Sequence, residues 1–455
     1  MRDRGATLKS IRIGMAALAC LALASCSKPA GDSMCPGCNV VLVSLDTVRA
    51  DHLGAYGYMR PTSPAFDRLA ERSLLFEDAI SQAAWTLPAH GSMMSGLYPD
   101  ELGVTHYPAL RRLPDMNPTL AERFSSAGYA TAGFVGGGFV SKHFGFDRGF
   151  DSYVSDGRRF EHNIDEAFDW LESVKKRRFF LFFHGYDAHR PYYSDQVDRE
   201  ALGLDIDMPH NRRGYCLGEN RQYPADLARV VDHYDASVRH GDRFLGYLLE
   251  ELARLGLSEK TVVLVTADHG EEFFEHGNCD HVRFVYDETV RVPYLIHVPG
   301  RQAARVPGTV PASVSVARTL LDLVGIGKEM PGVSLAPTVA GQVQSFERIF
   351  SQADSRQGHF GSRGGTLAMY AGPLKLISYT DEDTLEAYDR GVDPAEQSSL
   401  PVEHPVYGRA GELLAWSNAL IELPRPAPRP GDERAQKKQK REKLAEELRS
   451  LGYVE

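Results

Sequence analysis

The chain has 455 residues, 43% of them apolar and 25% charged, and a formal net charge of -10. These proportions are ordinary for a globular protein, and the acidic balance speaks against nucleic acid as a partner while saying nothing about fold. The length admits two to four domains, although large α/β enzymes exceed that rule. In chain order, Arg2, Arg4, Lys9 and Arg12 come first and an apolar run over 13–24 follows. A basic region joined to an apolar stretch too short to span a bilayer comfortably has the pattern of a secretory signal.

That run ends in Leu23-Ala24-Ser25-Cys26, which is similar to a bacterial lipobox. Residues 1–25 are therefore expected to be a lipoprotein signal peptide, with an uncleaved anchor or a plain signal as the alternatives. Cys26 would then be the lipidated first residue of the mature chain. It would hold the protein to a membrane of the bacterial cell envelope, on the periplasmic or surface side. Residues 26–38 read as a tether rich in Ser, Gly, Pro and Cys. Within it, Cys35 and Cys38 are expected to form a local disulfide in an oxidising compartment. Cys216 and Cys279 are left unassigned.

Residues 39–45 form a continuous apolar run ending at Asp46, as a buried parallel strand requires. Similar runs lie at 131–135, 179–183, 261–266 and 294–298. Between them, 64–73, 164–174 and 227–255 carry helical patterns with apolar residues at three- and four-residue intervals. Strands alternating with helices predict an α/β domain with a parallel-rich sheet. Ligands in such sheets collect at the carboxyl ends of the strands, and Asp46, His184, Asp187, Asp268 and His269 fall at or just past such ends. After about 345 the character changes. Short strands at 366–370, 374–379 and 385–389 predict a small antiparallel sheet, so that 39–345 reads as a catalytic domain and 346–423 as a C-terminal subdomain. The remainder, 424–455, is a proline-arginine linker followed by a lysine-rich helical pattern. Glu442, Glu446 and Glu447 interrupt its charge, so a solvated helix is expected.

The most informative stretch is Trp85-Thr-Leu-Pro-Ala-His-Gly-Ser-Met-Met-Ser95. It places the Thr86 hydroxyl at the first turn of a predicted helix, where orphan N–H groups and the helix dipole favour an anion. Ser44-Leu-Asp-Thr-Val-Arg49 and Thr266-Ala-Asp-His-Gly-Glu271 supply carboxylates and an imidazole at strand ends. Taken together and in this order, the three segments resemble those of the sulfatase family, within the alkaline phosphatase superfamily, and the resemblance covers about 39–400. Tyr388-Asp389 followed by Asp393-Pro-Ala-Glu396 is similar to a strand-and-turn signature near the sulfatase C-terminus. The resemblance implies an alkaline-phosphatase-like α/β fold: a mixed, parallel-rich sheet flanked by helices, with a small C-terminal antiparallel subdomain.

It also implies that Asp46, Asp268, His269 and the Thr86 hydroxyl hold a divalent metal. Thr47 stands where sulfatases usually have a second Asp, and His269 where many have Asn or Gln. Trading an oxygen ligand for imidazole favours zinc or manganese over calcium. Sulfatases carry a cysteine or serine, oxidised to formylglycine, at the position of Thr86. Threonine cannot become that aldehyde because its β-carbon already bears a methyl, so no formylglycine is expected and Thr86 would attack as a metal-activated alkoxide. His90, where the family has arginine, is expected to hold the nucleophile segment. His189, before Pro191-Tyr192, corresponds to a histidine near the ester and is expected to donate to a non-bridging or leaving oxygen. His281 falls near the place of a substrate-binding lysine and would protonate the leaving group. Arg49 is expected to brace the metal-binding carboxylates or to stabilise substrate charge. Asp187, His184 and His281 offer the makings of a second metal site, but a one-metal site is the expectation.

The function these readings predict is metal-dependent hydrolysis of phosphate, phosphonate or sulfate esters. Phosphorus chemistry is favoured because a threonine sulfate would have to be cleaved by attack at sulfur. A phosphoryl transferase modifying an envelope glycan or lipid is the first alternative. The ligand set is similar to that of the phosphoethanolamine and phosphoglycerol transferases. A non-catalytic envelope binder is the second, and the retained Asp46, Asp268 and His269 argue against it, since unpaired buried charges are costly. The substrate would be a small-molecule or an envelope glycan or lipid ester, with specificity in 101–118, 139–162 and 194–225.

Overall fold

Strand β1, Asn39–Leu45, is buried along its whole length in the middle of an eight-stranded sheet. A strand covered on both faces has no polar side to show, which is why its sequence is an unbroken apolar run. The structure is a computed structural model that describes residues 33–104, 112–115, 117–206, 227–326, 329–353, 365–379 and 384–421. The expected signal peptide, Cys26, Cys216 and the 424–455 segment lie outside these residues. Among the described residues, no helix is long and apolar enough to cross a membrane.

The other strands of the sheet are, in chain order, β2 (Leu74–Ile80), β3 (Ala130–Phe134), β4 (Ser152–Val154), β5 (Phe179–Gly185), β6 (Thr261–Thr266), β7 (Arg291–His297) and β8 (Ala304–Pro311). In space they run β8-β2-β7-β6-β1-β5-β3-β4. All pairings are parallel except the two made by β7, which lies antiparallel between β2 and β6. The sheet is therefore mixed and parallel-rich, as expected. Register brings Ser44 opposite both His184 and Thr266, so the carboxyl ends of β5, β1 and β6 open at one level.

Two strands of this sheet are hard to see in the sequence. In β2 the pair Glu77-Asp78 breaks the apolar run. The structure absorbs Asp78 at a register shift and binds it to Thr309 and Arg390. Strand β8 carries Pro307 and Pro311 and is largely exposed, which is tolerated because it is the sheet's edge.

The helices follow the apolar periodicity. Four that frame the strand ends are α1 (Pro64–Ala70), α2 (Thr86–Ser95), α3 (Phe160–Val174) and α4 (Leu227–Arg254). Proline opens α1, and the Asp242 carboxylate of α4 accepts from its Ala65 and Phe66 N–H groups at 2.7 and 2.8 Å, capping it from a neighbouring helix. Helix α2 is buried at all ten positions and ends at Gly96, whose φ of 73° is the left-handed conformation a helix terminus favours. Cys35 and Cys38 form the local disulfide, with Cα atoms 5.5 Å apart.

The C-terminal sheet is antiparallel, in the order β9 (Ile349–Ala353), β10 (Thr366–Ala371), β11 (Leu374–Tyr379) and β12 (Thr384–Asp389). One face packs on Ile80, Ala84, Phe284, Tyr286 and Val290 of the main unit. At its centre Lys375, fully buried, contacts Glu396 at 2.7 Å and Asp287 at 3.1 Å, and Arg390 joins Asp287 to Asp78. Burial raises the Asp287 carboxyl, but Arg390 and Lys375 outweigh that effect and hold it below the usual carboxylate range.

Candidate active site

Three strand ends and one helix start meet at a single buried point. Asp46 follows β1, Asp268 and His269 follow β6, His184 lies near the end of β5, and Thr86 opens α2. Asp46, Thr86, Asp268 and His269 are each at most 1% exposed. Thr86 Oγ1 lies 3.3 Å from His269 Nε2 and 3.5 Å from Asp46 Oδ2. Donor atoms of Asp46, Asp268 and His269 lie within 4.8 Å of one another. The metal-ligand set expected from the sequence is thus brought together.

Each side chain is held by a specific partner. The N–H groups of Thr47 and His269 donate to Asp268 Oδ1 at 3.2 and 2.9 Å. Thr47 has a φ of 59°, an uncommon conformation for a residue with a branched β-carbon and one that aims its N–H at this carboxylate. His269 Nδ1 donates to the Gly270 carbonyl at 2.8 Å, which leaves Nε2 as the atom bearing a lone pair toward Thr86. Gly136 N–H donates to His184 Nδ1, so His184 Nε2–H donates to Asp46 Oδ2 at 3.2 Å. His90, one turn into α2, donates from Nδ1 to the Thr86 carbonyl at 2.9 Å and accepts from the Ser44 hydroxyl at 2.9 Å. It touches the nucleophile through the main chain and positions the helix start.

The donor set fits a divalent cation. Asp46 Oδ1 and Asp268 Oδ2 are buried and lack a hydrogen-bond partner. Two adjoining buried carboxylates repel. Burial and the Asp268 charge push the Asp46 carboxyl well up, while His269 and His90 draw the Asp268 carboxyl down against its own burial. A cation between them relieves both costs. Burial lowers the His269 pKa to about 4, so the imidazole is a neutral ligand at physiological pH.

On the open side stand two more histidines. The His281 ring lies 4.3 Å from that of His269 and 5.1 Å from that of His189. Burial pulls the His281 pKa down, but Asp280 and Glu271, at 3.0 and 3.1 Å from Nδ1, outweigh it and hold the group up to about 10. His189 is pushed well down by burial and by the His281 charge. Its Nδ1 donates to the Arg190 carbonyl at 2.5 Å, so the neutral ring keeps an acceptor at Nε2, where the sequence led us to expect a donor. Arg190 is in turn paired with Asp280. Glu271, Asp280 and Arg190 were not singled out from the sequence, although each adjoins a residue that was.

Arg49, beside Gly270, is already engaged by other groups. Its guanidinium is committed to Asp51 at 2.8 Å, Glu275 at 2.5 Å and the Glu271 carbonyl at 3.1 Å, and it braces the loop that carries Glu271. The second metal site considered for Asp187, His184 and His281 is not assembled, since His184 bonds Asp46, His281 bonds Asp280 and Glu271, and Asp187 accepts from Phe160 N–H and faces His240.

The sulfatase family model matches residues 38–326, and a model for the C-terminal part of N-sulphoglucosamine sulphohydrolase matches 274–410. The chain is 26% identical to a Delta 4,5-hexuronate-2-O-sulfatase of Bacteroides thetaiotaomicron, over 84% of this chain and 88% of that one. It is 24% identical to an endo-4-O-sulfatase of the same organism, over 75% and 81%. Among solved structures, a phosphonate monoester hydrolase of Agrobacterium radiobacter superposes with a TM-score of 0.67 at 17% identity, covering 85% of this chain and 95% of that one. With a single family model matching well over half its length, the chain belongs to the sulfatase family of ester hydrolases, within the alkaline phosphatase superfamily.

Proposed function

We propose that this family member hydrolyses phosphate or phosphonate esters through a covalent threonine ester. The observation that carries the reading is a plain hydroxyl, Thr86 Oγ1, at the start of α2 and within 3.5 Å of both His269 Nε2 and Asp46 Oδ2. Asp46, Thr86, Asp268 and His269 would hold zinc or manganese. The chemistry such an ion supplies when bound is a lowered pKa for the hydroxyl and neutralised charge on the ester oxygens. Thr86 gives its proton to solvent and attacks phosphorus in line. The Oγ–P bond forms as the bond to the leaving oxygen breaks, and His281, protonated at neutral pH, gives its proton to that oxygen. Water then attacks phosphorus, passing a proton to His189 Nε2, and Thr86 departs as the alkoxide. His281 is reprotonated from solvent and His189 returns its proton there. A threonine sulfate would need displacement at sulfur, without the hemiacetal elimination that formylglycine allows.

The substrate is a small-molecule or an envelope glycan or lipid ester. A lipid on Cys26 would place the enzyme at the cell envelope, an inference from residues 1–26 alone. The test is hydrolysis of aryl phosphate monoesters and diesters, an aryl phosphonate and an aryl sulfate by the zinc- or manganese-loaded protein. Phosphorus ester turnover supports the reading, and turnover of the sulfate alone rejects it.

The proton donor has its own signature. His281→Gln is expected to lower turnover of an alkyl phosphoester ~10²–10³-fold. The loss for a p-nitrophenyl ester should be under ~10-fold, because that leaving group departs without a proton. In the wild type, kcat/KM falls as pH rises through about 10, where His281 loses its proton. That limb disappears in the variant, as a pH profile with both substrates will show. Equal losses for the two esters would remove His281 as the acid.

A further inference from the structure

We propose that Glu161, Asp187 and His240 form a second divalent-cation site, of the zinc and manganese class, that ties the start of α3 and the loop after β5 to the middle of α4. It is distinct from the Asp46–Asp268–His269 cluster and does not depend on the catalytic reading. His240 Nε2 lies 3.6 Å from Glu161 Oε2 and 3.6 Å from Asp187 Oδ1. These separations are too long for hydrogen bonds. They match what two ligands of one ion subtend when each bond is about 2.0–2.2 Å.

The atoms that face this point are short of partners. His240 Nε2 and Asp187 Oδ1 are buried with no hydrogen-bond partner, on residues 0% and 3% exposed. His240 Nδ1 lies 2.9 Å from Asp198 Oδ2. Arg243 Nη2 already donates to Asp195 at 2.6 Å and to Asp198 at 2.9 Å, which uses both its hydrogens. The Asp198 contact therefore takes its hydrogen from His240 Nδ1, and Nε2 is the ring nitrogen that faces two carboxylates. A carboxylate that orients a histidine in this way is the usual outer partner of a metal-bound imidazole.

Charge and packing point the same way. Four carboxylates, Glu161, Asp187, Asp195 and Asp198, surround the His240 ring and outnumber the guanidinium groups that meet them, Arg159 and Arg243, by two, so added positive charge is favoured there. Arg159 takes Glu161 Oε1 and leaves Oε2 facing His240. Asp187 Oδ2 is fixed by Phe160 N–H at 3.1 Å. A β-carbon at Gly185 would stand 2.3 Å from that oxygen, so only glycine there leaves room for the carboxylate. Burial raises the Asp187 carboxyl to about 6, a cost that a bound cation offsets.

The experiment is metal content by mass spectrometry on the full chain, stripped with chelator and dialysed against micromolar zinc or manganese. Two equivalents are expected in the wild type, and one in each of Asp268→Ala, His240→Asn and Glu161→Gln. Glu161 is partly exposed, so Glu161→Gln serves if His240→Asn fails to fold. In the Asp268→Ala background zinc should still raise the melting temperature, and adding Glu161→Gln should abolish that rise. One equivalent that survives Asp268→Ala but is lost in Glu161→Gln would support this site and count against the catalytic metal. One equivalent lost in Asp268→Ala, with no zinc-dependent rise in melting temperature, would overturn the proposal. So would the absence of any bound metal.

Discussion

Replacing Thr86 with alanine is expected to cut phosphoester turnover by at least ~10⁴-fold, the scale seen when a covalent nucleophile is removed. The substitution should leave the fold intact. Thr86 does not cap α2 with its side chain, and the helix is held by His90 and by packing at all ten positions. Circular dichroism and metal content, measured beside initial rates, would show a folded, metal-bearing and inactive protein. Thr86→Ser keeps the hydroxyl and should retain measurable activity. Intact-mass analysis of wild type quenched during turnover should find phosphate on the peptide holding Thr86. Substantial turnover by Thr86→Ala would remove Thr86 as nucleophile.

Lys375→Met should destabilise the protein by about 3–5 kcal/mol, because it leaves buried carboxylates without their cation. Lys375 is fully buried between Glu396 and Asp287, and without it Arg390 would still pair with Asp287 while Glu396 would lose its ion-pair partner. Adding Glu396→Gln to Lys375→Met should recover part of the loss, since it removes one uncompensated charge. Urea midpoints of the two variants and the wild type give the comparison, and a loss under about 1 kcal/mol would mean that water or rearrangement satisfies the site. The effect should reach the active site. Asp287 begins the short helix Asp287–Val290, and Thr289 of that helix accepts from Gly270 N–H at 2.8 Å, next to His269.

The parts of the fold legible in the sequence share one physical trait. Strands β1, β5 and β6 are buried on both faces, so their composition alone marks them. Strand β8 is legible only once its place at the edge is known, and β2 only once Arg390 is seen to neutralise Asp78. The same holds at the site. Asp46, Thr86, Asp268 and His269 belong to continuous segments and were found together. Glu271 and Asp280 matter because they flank His281 in space, and the His189 tautomer depends on one carbonyl, which no spacing reveals. Arg49 was readable as a charge near the carboxylates, but its partners Asp51 and Glu275 come from the tertiary arrangement.

Strand β1 carries one more consequence, for how the protein folds. Asn39 alone binds Phe179 and Thr261, residues 140 and 222 positions further along the chain. Pairings that distant require large loops to close before they give anything back, so the sheet's centre forms late and slowly. Until β6 arrives, Asp46 and Asp268 have not met, and no partly folded chain owns a working pocket. During that interval Val40-Val-Leu-Val43 is an unpaired apolar strand, the kind of segment through which chains aggregate. The burial that makes β1 the best anchor of the finished enzyme also makes it the chain's most vulnerable stretch while folding is incomplete.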